Sequence, residues 1–217
     1  MTLSRGWVSA GLGPHRPVSG TYGFDPATDL PALPLDHPGG LHAWMTELVP
    51  LNELAKGRYG MATLGGPVSI AGHRAALPDS FIAFMKDSAL RDSVPTCTSC
   101  YWESDLPAAP SPVTEGATLV RFLNDQQGCL FWYLHLLPSG AHEVVCGGIA
   151  YDCEEAEPHE AAEDLLLVAD DFDEFIARFW IENLAWYEVV GQKRAEDELS
   201  PPVRDYVRQL GPVDELS

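Results

Sequence analysis

The sequence predicts an α+β fold in which helices cover an antiparallel sheet, and three stretches carry that expectation. Leu119–Leu123 alternates, with Leu119, Arg121 and Leu123 set against Val120 and Phe122, as a strand buried on one face does. After a polar turn at Asn124–Gly128, the nearly unbroken apolar run Cys129–Leu136 predicts a strand covered on both faces, the centre of the sheet. A stripe of Phe172, Phe175, Ile176, Phe179, Trp180, Leu184 and Tyr187 recurs at three- and four-residue steps, so a long helix must lie on that sheet.

Along the chain, Met1–Gly40 is dense in Pro and Gly and is expected to form an irregular arm, with Trp7, Tyr22 and Phe24 as its points of packing. Leu41, Trp44, Met45, Leu48 and Val49 fall at helical spacing within Leu41–Leu54 until Pro50 interrupts them. Gly65–Gly72 suits a short strand. A helix starts at Leu77-Pro78-Asp79-Ser80, because proline loses no hydrogen bond in a first turn and Asp79 favours the positive end. Its buried face is Leu77, Phe81, Phe84 and Met85.

Thr96–Glu103 predicts a strand, and Leu106–Glu115 a proline-rich loop. Pro138-Ser139-Gly140 is a turn signal ahead of a third strand over Glu143–Ile149, which completes a meander. Tyr151–Glu163 reads as an acidic loop. Asp171 and Glu174 stand at the spacing of a capping box at the start of the long helix, and Pro201-Pro202 open a last helix running to Leu210.

With 217 residues and ordinary apolar content, the chain is expected to fold as one domain over residues 1–217, its formal net charge of −19 carried on the surface. That charge repels phosphate and anionic lipid, and no Lys or Arg occurs between Arg121 and Arg178, so neither nucleic acid nor a membrane is an expected partner. A basic protein is. The N-terminus lacks the apolar segment of a signal peptide, which makes the cytoplasm the expected compartment, and five cysteines are expected to stay reduced.

In order, Leu77-Pro78-Asp79-Ser80-Phe81-Ile82-Ala83-Phe84-Met85, Asn124-Asp125-Gln126-Gln127-Gly128-Cys129-Leu130-Phe131-Trp132-Tyr133-Leu134 and Ala169-Asp170-Asp171-Phe172-Asp173-Glu174-Phe175-Ile176 resemble the SUKH superfamily, over roughly residues 70 to 190. That group holds fungal cell-wall-assembly regulators of the Smi/Knr type and many bacterial immunity proteins. The resemblance implies an α+β fold and a non-enzymatic role as a binding module, in bacteria often the neutralisation of a toxin by direct contact. It carries over no catalytic residue.

Two groups of residues are candidates for contact with a partner: the turn residues Asn124, Asp125 and Gln126, and the acidic residues Glu154, Glu155 and Glu157, whose charge suits a cationic toxin. A solvated loop and a charged helix start account for the same acids without function. Cys97-Thr98-Ser99-Cys100 has the spacing of a zinc or redox pair, the basis of an alternative reading as a zinc- or thiol-dependent enzyme. Two further ligands would have to come from Cys129, Cys146, Cys153, His135 or His142. Two ordinary thiols near the core are the plainer account. A regulatory scaffold without a toxin partner is the third reading. The ordered acidic loop of a calcium site and the Gly-Lys-Ser/Thr ending of a phosphate loop are both absent from the sequence.

Overall fold

A computed structural model describes residues 2–33 and 77–210. The helix expected at Leu41–Leu54 and the strand expected at Gly65–Gly72 lie outside the described residues. Among those described, a mixed, mostly antiparallel sheet of eight strands is packed by five α-helices, the α+β architecture expected from periodicity.

The meander is its middle. Strands β5 (Thr118–Asn124), β6 (Phe131–Leu136) and β7 (His142–Gly147) pair antiparallel in sequence order. Every residue of β6 but Leu136 is buried, because its side chains alternate between two covered faces: Trp132 and Leu134 meet the helices, while Phe131 and Tyr133 meet a second, smaller core. The neighbouring strand departs from its expected half-buried character. A bulge between Arg121 and Leu123 breaks the alternation, so Leu123 joins Val120 and Phe122 under the helices while Leu119 faces the other way.

Strand β8 (Leu166–Ala169), from an apolar run to which periodicity assigns no element, pairs antiparallel with β7 and parallel with β1 (Ser4–Ser9). Strand β2 (Gly23–Pro26) closes that edge against β1. The expectation of an irregular arm over Met1–Gly40 is therefore corrected: between its prolines and glycines the arm adds two strands, and Trp7 and Leu12 are buried in the main core. On the opposite edge, β3 (Tyr101–Trp102) and β4 (Ala108–Pro110) pair with successive parts of β5. The loop expected at Leu106–Glu115 thus contains a strand, and its Pro110 is tolerated because an edge strand can do without one donor.

The helices follow the sequence more closely. Helix α1 (Asp79–Lys86) starts directly after Pro78 and buries Phe81, Phe84 and Met85. Helix α2 (Ser88–Ser93) follows, with the Asp87 carboxylate accepting the N–H groups of Ala89 and Leu90. Helix α3 (Pro158–Asp164) begins within the stretch expected to be an acidic loop and runs one residue past it; Pro158 fits its first turn, and Glu160 accepts the N–H of Glu157 at 3.1 Å.

Helix α4 (Phe172–Trp186) begins at Asp171, whose carboxylate accepts the Glu174 N–H at 2.7 Å, and Glu174 in turn accepts the N–H of Asp170. The six stripe residues within it are buried, as is the seventh, Tyr187, in the turn that follows. Burial of each such side chain stabilises by roughly 1.5–3 kcal/mol, which makes this contact a major source of fold stability. Edge-on ring contacts of Phe122 with Phe172 and Phe175, centroids 5.7 and 5.3 Å apart, lock helix to sheet. Helix α5 (Pro201–Leu210) packs on α4 through Val203, Tyr206 and Val207.

Candidate functional site

The second core lies on the face of the sheet away from α4, and the chain that covers it forms one wall of an open groove. Tyr133 donates its hydroxyl proton to the Ile149 carbonyl at 2.7 Å, and Tyr151 donates to the Asp164 carboxylate at 2.8 Å. Burial, the largest cause, pushes both phenols up, so they remain neutral donors. Arg121 reaches from β5 to Asp152 at 2.9 Å and lies over the Phe131 ring. These contacts fix residues 149–152 against the sheet. Facing them across the groove are Ala109, Pro110 and Pro112.

The groove encloses about 560 Å³ and is lined on its acidic side by Tyr151, Glu154, Glu155, Glu157 and Glu160. All four glutamates are exposed, and no Lys, Arg or His lines the groove among the described residues. The arrangement is a fixed aromatic and proline surface rimmed with negative charge. It can hold a cation or a basic segment, since its four carboxylates offer acceptors and no cationic side chain competes for them among the described residues.

The three acidic contact candidates, Glu154, Glu155 and Glu157, therefore lie together on one surface. The turn candidates do not join them. Asn124 and Asp125 are only 0% and 1% exposed, a correction to their expected role, because turn polarity marks hydrogen-bonding need as much as solvent contact. Asp125 accepts from the Tyr22 hydroxyl at 2.7 Å, the Gln127 N–H at 2.9 Å and the Cys129 thiol at 3.1 Å, which ties the turn to the N-terminal segment. Asn124 donates to Glu103 at 3.1 Å. Gln126 is exposed but outside the groove lining.

Cys97 and Cys100 sit in a turn before β3, which shortens the strand expected at Thr96–Glu103 to two residues. Asn183 of α4 accepts the Cys97 N–H at 2.7 Å, Thr96 accepts the Cys100 N–H at 2.8 Å, and Ser99 takes a left-handed backbone with φ of 58°. The Cys100 thiol contacts the Thr98 hydroxyl at 3.2 Å. Burial pushes both thiols up, the reverse of a reactive pair. Among the described residues no third His, Cys, Asp or Glu gathers with them into a group able to hold a metal.

One constellation went unread in the sequence because its members are 24 and 8 residues apart. His135 of β6 lies directly opposite Glu143 of β7, with Nδ1 at 2.8 Å from the Glu143 carboxylate. Its Nε2 is 3.0 Å from the hydroxyl of Ser111, the residue following β4. The only sequence signal available was a histidine in a strand expected to be buried, which requires partners on both nitrogens.

Comparison with known protein families, curated proteins and solved structures finds no match to this chain.

Proposed function

We propose that this protein is a binding module of SUKH type that recognises a basic protein partner by direct contact, a cationic toxin being the partner that the resemblance favours. The observation that carries the reading is the groove: Glu154, Glu155, Glu157 and Glu160 project from a braced backbone beside an aromatic and proline surface, with no cation in its lining among the described residues. The net charge of −19 extends that field over the whole molecule and draws a positive partner from solution. The antiparallel meander under a long aromatic helix agrees with the fold that the resemblance implies, and the cytoplasm is the compartment proposed for this role. No helix among the described residues is long and apolar enough to cross a membrane.

The test is co-purification of the tagged protein from its native cell, followed by charge reversal at Glu154, Glu155 and Glu157 to Lys. With the recovered partner, association of the triple variant at low salt should slow by about tenfold or more, and its salt dependence should flatten. Parent-like association across the salt range would remove the groove from the interface.

A further inference from the structure

The geometry points to a second, chemical function: Ser111, His135 and Glu143 form a nucleophile, base and orienting carboxylate able to hydrolyse small carboxylic esters. Each link has the hydrogen-bond polarity that the chemistry needs. The Glu143 carboxylate accepts, so His135 carries its proton on Nδ1, 2.8 Å away, and presents the lone pair of Nε2 to Ser111 at 3.0 Å. The Ser111 hydroxyl already accepts the Thr114 N–H at 3.2 Å, which leaves its own proton directed to Nε2.

The base is held without freedom to turn. His135 is 1% exposed, and it and Glu143 are paired across adjacent strands of a rigid sheet. Ser111 is only partly buried, and its N–H to the Ala117 carbonyl, 2.9 Å, anchors the turn that carries it. A structural histidine needs only two partners of any kind. Here one partner is a carboxylate and the other the hydroxyl of a partly exposed serine, the order nucleophile, base, acid. Ser111 and His135 do not line the groove that Pro110 and Pro112 border, and an ester reaches Ser111 through that residue's own partial exposure after edge strand β4. Glu143 beside the base and the net charge of −19 repel anionic acyl groups, which leaves neutral or cationic esters as the substrate class.

In the reaction, the Ser111 oxygen bonds to the acyl carbon while its proton passes to His135 Nε2. The bond to the alcohol oxygen then breaks, and that oxygen takes the proton from Nε2. Water repeats both steps on the acyl-serine, releasing the acid and restoring Ser111, for a net conversion of ester and water to acid and alcohol. The binding reading given above is not needed for this chemistry.

The experiment uses the full chain with a fluorophosphonate probe, which bonds to an activated serine with loss of fluoride, and with p-nitrophenyl acetate as substrate. Mass spectrometry should place the probe on Ser111, and Ser111→Ala should lower ester turnover by about a hundredfold or more. Glu143→Gln should retain the fold by circular dichroism yet slow both labelling and turnover, which separates orientation of the base from simple unfolding. Absence of probe on Ser111 in the folded parent, or equal turnover in parent and Ser111→Ala, would overturn the proposal.

Discussion

Cys129 and Cys153 are exposed, whereas Cys100 and Cys146 are buried and Cys97 is half-buried. Exposure alone does not set reactivity. The Cys129 and Cys153 thiols donate to Asp125 and Asp152, each at 3.1 Å, and those hydrogen bonds are the main cause that pushes both thiols up. For Cys97 and Cys146 burial is the main cause. In the folded protein, an excess of a disulfide reagent in mild base should therefore modify Cys129 and Cys153 first, with Cys97, Cys100 and Cys146 reacting only as the chain unfolds. Asp152→Asn should accelerate Cys153, because the change removes the charge that disfavours its thiolate. Peptide mapping of the modified sites checks both statements; early modification of Cys97 or Cys146 would contradict the first.

At the scale of an element, the N-terminus of α4 is tuned by a neighbour outside the helix. His142, at the start of β7, accepts the Phe172 N–H through Nε2 at 3.3 Å, adding to the Asp171 cap. Burial is the largest influence on His142 and lowers its pKa below 6.5, while Asp171 and Asp173 act the other way. The neutral form is thus the one the fold uses, since a protonated Nε2 has no lone pair to offer. The unfolded chain binds the proton more readily, so this contribution is complete above about pH 6.5 and is lost as pH falls through the lower folded-state value. Urea denaturation at about pH 7.5 and about pH 5 should show the parent losing stability relative to His142→Gln, which keeps an acceptor but does not titrate. A constant difference between the two proteins would show that His142 does not report on the helix start.

For the whole molecule, the decisive connection joins the N-terminal strands to α4. Arg16 forms a bidentate ion pair with Glu182, a carboxylate that also accepts from Tyr206 of α5, and both charged side chains are nearly fully buried. Burial works to lower the Arg16 pKa, and the hydrogen bonds and charge of Glu182 more than offset it, so the guanidinium stays charged. Trp7 packs on Phe175 at 5.8 Å and Arg178 donates to the Pro31 carbonyl at 3.1 Å, which extends the same attachment. Glu182→Ala should cost about 3 kcal/mol, the low end for breaking a buried pair, because Arg16 keeps only Asp25, at 3.5 Å, as a charged partner, whereas Arg16→Met combined with Glu182→Leu should recover much of that loss. Urea midpoints of the two variants check this. Equal losses in the single and double variants would place the cost in packing and not in the stranded charge.

How much of this was legible in one dimension follows from the range of each interaction. The meander, α1, the capped start of α4 and its aromatic stripe depend on residues within a few positions of one another, and side-chain order alone determines them. The acidic rim at Glu154, Glu155 and Glu157 was visible for the same reason. Only the tertiary structure decided that the proline-rich arm supplies β1 and β2, because parallel pairing of Ser4 with Leu166 and the Arg16 to Glu182 ion pair join the two ends of the chain. It also decided that Asn124 and Asp125 turn inward, and that Ser111, His135 and Glu143 meet. Composition and periodicity record which faces are apolar; they hold no information about which distant polar groups will satisfy one another once those faces have closed.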